Sequence, residues 1–189
     1  MKNLEAKMFN KKASNPKSKP DQILGTLALR RGQNIADIGA GGGYFSLRFA
    51  DSVGRKGRVY AVDSNPKFLE FIRNSAKEMG LNNVRTILAT EDKLNLPEKS
   101  LDFVFMRNLC HHLPNRVEYF RNLTGLLKSD GKIAIIEYKR GGLLSFHRIF
   151  WHHVPQEIIV KEMDGAGYQL EKDFDFLKNQ SFTIFVLKK

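Results

Sequence analysis

The run IADIGAGGGYF, residues 35–45, sets an acid, Asp37, two positions ahead of three alternating glycines, Gly39, Gly41 and Gly43. Glycine in this spacing lets the main chain take conformations closed to other residues, and lets a ligand lie against the backbone with no Cβ between them. A second acid, Asp63, follows Gly39 by 24 residues, and a carboxylate placed there can accept both hydroxyls of a ribose. Loop and acid together are chemistry for a nucleotide-type cofactor. A dinucleotide fits less well, because its fingerprint needs a further glycine where Tyr44 stands, and 189 residues leave no room for a second mononucleotide half. Asp37 suits a cofactor with a positive centre and a free amino group. A mere strand-to-helix turn requires neither that acid nor the alternating glycines.

The five histidines fall in two clusters, His111-His112 and His147, His152 and His153. Histidine is the usual proton acceptor near neutral pH, which makes His111 and His112 candidate catalytic bases. The plainer role for either is to hold its loop by hydrogen bonds. Around the second cluster stand Phe146, Phe150 and Trp151, which could wall an apolar acceptor pocket or pack as a helix on the core. Imidazoles with Glu137 are conceivable metal ligands, but H-E-x-x-H or a comparable spacing is missing, and no metal is expected. Cys110 is the only cysteine, which rules out an internal disulfide and a cysteine-built metal centre.

Strand-like and helix-like segments alternate so regularly that an open, mostly parallel α/β sheet is expected, with the loop and Asp63 at strand ends. Strands are expected at 34–38, 58–62, 84–89, 101–106 and 132–138. Helices are expected at 21–29, 43–52, 66–80, 115–127 and 155–164. Pro66 suits a first helical turn and Gly80 a helix end. The last two strand-like runs, 168–176 and 182–187, suit an antiparallel hairpin at the sheet edge.

The runs DIGAGGGYFSLRFA, VYAVDSNPKFLEFIR, TEDKLNLPEKSLDFVF and LTGLLKSDGKIAIIEYK resemble, in that order, the successive motifs of class I S-adenosylmethionine (SAM)-dependent methyltransferases. The resemblance covers about residues 21–187. RNLCHHLPNRVEYF is similar to the small-molecule branch that includes the quinone-biosynthesis (type 11) methyltransferases. The resemblance implies a three-layer, doubly wound, Rossmann-like fold with a mostly parallel seven-stranded sheet. It implies SAM as methyl donor and S-adenosylhomocysteine (SAH) as product. Asp37 and the glycines Gly39, Gly41 and Gly43 would then face the methionine part, and Asp63 the ribose. Glu91 or Asp92 would hydrogen-bond the adenine amino group, while Ala40, Tyr44 and Ser64 complete the binding set. Asn108 stands where members of the family line the methyl-transfer site, although asparagine at a strand end is also a common turn former. The reaction expected is methyl transfer to a small-molecule acceptor by in-line displacement.

The formal charge of +11 keeps a nucleic-acid partner in view, since lysine and arginine gain affinity by releasing counterions from phosphates. Six lysines against Glu5 alone place nearly half of that charge in residues 1–20, a basic arm or lid ahead of a methyltransferase domain at 21–189. The Lys, Ser, Asn and Pro content of the arm suits mobility, while Met8 and Phe9 would suit a lid. An RNA or DNA methyltransferase is therefore the rival reading. Against it, the fourth strand ends in Arg-Asn-Leu-Cys and not in the Asn/Asp-Pro-Pro-aromatic signature of base amino-group methylation, and no proline precedes Cys110. A SAM-binding protein without turnover is the other alternative. No apolar run approaches the roughly 18 residues of a membrane span, and no signal-peptide pattern opens the chain, so a cytoplasmic monomer or homodimer is expected.

Overall fold

The computed structural model describes residues 3–90, 94–139 and 153–189. Apolar runs such as Ile35-Ala36 and Val104-Phe105-Met106 are buried, as strands covered on both faces require. Seven strands run in the order β3-β2-β1-β4-β5-β7-β6: β1 Asn34–Ile38, β2 Arg58–Asp63, β3 Val84–Leu88, β4 Leu101–Arg107, β5 Leu127–Tyr138, β6 Tyr168–Phe174 and β7 Gln180–Leu187. This is the three-layer, mostly parallel α/β fold expected, with its antiparallel C-terminal hairpin.

The chain divides into two compact units, Met1–Pro97 and Glu98–Lys189. In the first, β1, β2 and β3 pair in parallel, and the register sets Ile38 beside Val62 and Asp63 beside Leu88. Helix α3, Tyr44–Val53, buries Phe45, Leu47, Phe49, Ala50 and Val53. Helix α4, Pro66–Glu78, starts as its sequence demands: the Asn65 side chain accepts from the Lys67 amide and Pro66 occupies the first turn. Two α-helices and a short 3-10 helix, Pro16–Ser18, precede β1 among the described residues. Helix α2, Pro20–Leu27, lies one residue ahead of the expected start. Helix α1, Leu4–Ala13, falls inside the segment whose composition suits a mobile arm, and its Ala6 is completely buried. A single well-placed alanine and the contacts described below outweigh the polar composition of its neighbours.

In the second unit, β4 and β5 pair in parallel, while β7 runs antiparallel to both β5 and β6. Helix α5, Arg116–Leu123, ends four residues sooner than expected, where the Thr124 hydroxyl turns back to the Arg121 carbonyl. Strand β5 correspondingly starts at Leu127, five residues ahead of the expected 132, and Lys-Ser-Asp-Gly is an irregular stretch of that strand. Leu101 pairs with Leu127, but Phe103 pairs with Lys132. Lys128 reaches across to Asp102 at 2.8 Å, which anchors the bulged segment to β4. Helix α6, Gln156–Gly165, leads into β6, where the buried Tyr168 hydroxyl donates to the Phe120 carbonyl at 3.0 Å.

Candidate active site

Where β1 ends, the chain folds back on the neighbouring strand. The amides of Gly39 and Ala40 both donate to the Val62 carbonyl, at 2.9 and 3.0 Å, and the Gly43 amide donates to the Ala40 carbonyl at 2.8 Å. Gly43 then opens α3 with a φ of +79°, and a Cβ added there would lie 2.5 Å from Ile72 Cγ1 of α4. Both the backbone sign and the space require glycine at this position. Asp63, at the tip of β2, is brought onto the loop: its Oδ2 accepts from the Gly41 amide at 2.8 Å and its Oδ1 from the Asn65 amide at 2.9 Å. Burial raises the Asp63 pKa above the usual 3.8, opposed by the amide bonds from Asn65, Gly41 and Ser64. Asp37 is buried at 3% exposure, and its Oδ2 accepts from the hydroxyl of Ser46 in the first turn of α3.

The loop has a second neighbour that the glycine and acid pattern does not announce. From α1, Asn10 donates through Nδ2 to the Gly42 carbonyl at 2.8 Å and accepts at Oδ1 from the Tyr44 amide at 3.1 Å. Phe9 lies beside Gly41, where an added Cβ would meet its ring and Cβ at 3.6 Å, and its ring stands edge-on to Phe68 of α4. The spare glycine in the run of three, Gly42, was the available signal, since alternation alone uses only its neighbours.

In the second unit, β4 runs out at Arg107 and Asn108 takes a φ of +55°. Its amide donates to the Ile136 carbonyl at 2.7 Å, and its Oδ1 accepts from Gln180 Nε2 at 2.5 Å. The turn continues as one short 3-10 helix, Cys110–His112. There the buried Glu137 carboxyl collects three partners: His111 Nδ1 at 2.9 Å, the His111 amide at 3.3 Å and its own neighbour's amide, Tyr138, at 2.8 Å. Because Oε1 already accepts from Tyr138, the imidazole contact is best satisfied by a hydrogen on Nδ1. The His111 side chain is 5% exposed, whereas His112 is exposed and packs ring on ring with it at 4.1 Å. Burial, with Glu137 adding to it, pushes the Cys110 thiol well above its usual range, so this cysteine is a protonated core residue and a poor nucleophile.

Of the residues expected to bind cofactor, the structure gathers Asp37, Gly39, Ala40, Gly41, Gly43, Tyr44, Asp63 and Ser64 around one loop. Asn108, His111 and His112 share the turn after β4. Glu91 and Asp92 lie outside the described residues, as do Phe146, His147, Phe150, Trp151 and His152. The residues present fit SAM. A carboxylate has about four acceptor positions, so the three amides on Asp63 leave one for a ribose hydroxyl. Gly39 is exposed and carries no side chain to keep a ligand from the main chain.

The sequence pattern of the family described as "Methyltransferase domain" matches residues 29–179. Among curated proteins, the ubiquinone/menaquinone biosynthesis C-methyltransferase of Serratia proteamaculans is 24% identical over 150 residues, covering 76% of this chain and 60% of its own. The demethylmenaquinone methyltransferase of Listeria welshimeri is 25% identical over 129 residues, covering 68% of this chain and 55% of its own. The chain thus spans little more than half the length of these relatives. Among solved structures, a SAM-dependent methyltransferase from Aquifex aeolicus shares the fold with a TM-score of 0.84 at 23% identity, over 96% of this chain and 98% of its own. With the family pattern running from ahead of β1 to the end of the β6–β7 link, the chain belongs to the methyltransferase-domain family.

Proposed function

We propose that this protein transfers the methyl group of SAM to a small-molecule acceptor by in-line displacement. The observation that carries the reading is the bond between Asp63 and the Gly41 amide, which sets a carboxylate against the main chain of the glycine loop. SAM supplies an activated methyl on a sulfonium that is a good leaving group, so positioning can account for much of the rate. Asp63 holds the ribose, residues 39–44 present main chain to the methionine part, and Asp37 places a negative group beside it. Adenine recognition falls to Glu91 or Asp92.

His111 is the better of the two candidate bases. Glu137 fixes its Nδ1 as the donor, which makes Nε2 the basic nitrogen of the ring, the arrangement by which a buried acid orients a catalytic imidazole. Such a base is required only for an acceptor that must lose a proton. The two relatives whose names refer to quinones make a quinone-type ring the first acceptor class to test. Exposed Lys7, Lys11, Lys12, Lys17 and Lys19 favour a second reading, methylation of RNA. The buried Cys110 argues against the cytosine-carbon route within it.

Calorimetry with SAM and SAH tests the donor, and the absence of heat for both ends the proposal. The acceptor is tested by incubating the protein with methyl-labelled SAM and fractionated extract. Label in a nuclease-resistant, low-mass fraction supports the small-molecule reading, whereas label lost on ribonuclease treatment replaces it with the RNA reading.

A further inference from the structure

We infer that Asn10 is a positioning residue for the cofactor loop: α1 holds Gly42 and Tyr44 in the shape that receives SAM, and Gly42 is glycine to admit this helix. The inference rests on the reading that residues 37–43 bind the cofactor.

Helix α3 begins at Tyr44 behind a glycine, so it has no side chain of its own to cap its first turn. Asn10 supplies one from 34 residues away by accepting from the Tyr44 amide, and the same side-chain amide donates to the Gly42 carbonyl. A single planar group therefore bridges the two residues that flank Gly43. The approach needed for this is closer than any other residue at position 42 permits. A Cβ there would lie 2.2 Å from both the Ala6 carbonyl oxygen and Asn10 Oδ1, and the first of these is helix backbone that cannot swing aside. Ala6 is completely buried, and Phe9 extends the contact to Gly41 and to Phe68 of α4.

The stretch 41–44 is thus held from two sides. Asp63 takes the Gly41 amide, and Asn10 takes the Gly42 carbonyl and the Tyr44 amide. A loop of glycines is otherwise the most costly kind to order on binding, so fixing it beforehand raises affinity without a new ligand contact. Gly39, Gly41 and Gly43 serve the loop itself, while Gly42 serves the helix that braces it.

The test measures SAM and SAH affinity by calorimetry, and amide exchange at Tyr44 by mass spectrometry, on the full chain carrying Asn10→Ala, Gly42→Ala, both, or Asp63→Ala. Losing the two bonds of Asn10 is expected to weaken both ligands about tenfold and to speed exchange at Tyr44. Gly42→Ala displaces α1 and weakens binding at least as much, and Asn10→Ala added to it costs nothing further. Affinity of Asn10→Ala within twofold of the parent overturns the inference, as does tighter binding, which would make α1 an occluding strap, or full additivity of the two changes. If Asp63→Ala loses affinity and Asn10→Ala does not, only this inference fails. If neither does, the reading of the loop itself fails. Should Gly42→Ala not fold, the half-exposed Asn10→Ala decides alone.

Discussion

The loop after β1 and the turn after β4 both carry residues expected to do chemistry, and they are built from different bonds. In the loop, most partners are main-chain groups: Gly39, Ala40, Gly41 and Tyr44 each give an amide, received by a strand carbonyl, an acid or Asn10. In the turn, side chain meets side chain, His111 with Glu137 across 26 residues and Asn108 with Gln180 across 72. A main-chain cradle tolerates any ligand that fits its shape and depends on glycine. A side-chain cluster is only as good as its buried members, each of which is specific. Substitutions should therefore divide by the kind of bond they remove, side-chain pairs acting on stability and proton transfer, and groups that shape the main-chain cradle acting on cofactor affinity.

The largest effect is expected in the turn. Glu137→Ala strips partners from the His111 ring and from two part-buried amides around a fully buried carboxyl, and leaving such donors unsatisfied costs about 3 kcal/mol. Urea unfolding of the full chain measures it. A loss below about 1 kcal/mol would mean that the cluster is not a unit. Next comes Asp63→Ala, expected to weaken SAM at least about tenfold, because a charge-assisted bond to the ribose disappears and the Gly41 amide loses its acceptor. Its unfolding midpoint should move little, since the burial that raises the Asp63 pKa already offsets much of what the Gly41 and Asn65 amides contribute. A variant that loses stability and keeps affinity would reverse the assignment.

The same contrast explains what could be read in the sequence. Strands with apolar runs, Pro66 at a helix start and the spacing from Gly39 to Asp63 are local signals, and the structure places β1, β2 and α4 where those signals do. Glu137 and Gln180 carry no such mark: an acid within an apolar strand and a glutamine at the start of β7 become partners of the turn only through strand pairing, which sets Tyr138 beside Gln180. The length of β5 was hidden because Ser129, Asp130 and Gly131 are turn-forming residues that here make a bulge. Helix α1 was hidden for a different reason. Its docking rests on three residues, Ala6, Phe9 and Asn10, and averaging over residues 1–20, most of them polar, erases them.

Acid separates the two properties of Asp63 with opposite signs. Its pKa in the folded protein lies above the usual 3.8, so folding favours the protonated form. Its contribution to stability is therefore fullest below 3.8 and is lost as pH rises through the folded value. Ribose hydroxyls need the ionised carboxylate, so SAM affinity should fall as pH drops through that same value. Calorimetry at descending pH should show a midpoint above 3.8 that Asp63→Asn removes. A midpoint that survives in Asp63→Asn belongs to another group and detaches Asp63 from the ribose.

The smallest effect is expected where the loop uses a side-chain pair of its own. Ser46→Ala removes the hydroxyl that Asp37 accepts from, inside a region where Asp37 is 3% exposed, and should cost about 1 kcal/mol of stability. The hydroxyl ties the end of β1 to the first turn of α3, and the bond from the Gly43 amide to the Ala40 carbonyl closes the same stretch through the main chain. Redundancy of that kind is what distinguishes the loop from the turn, so SAM affinity in Ser46→Ala should stay within about threefold. A larger loss would show that the cradle is held by the buried Ser46–Asp37 pair as much as by its backbone, and the two regions would then differ in degree and not in kind.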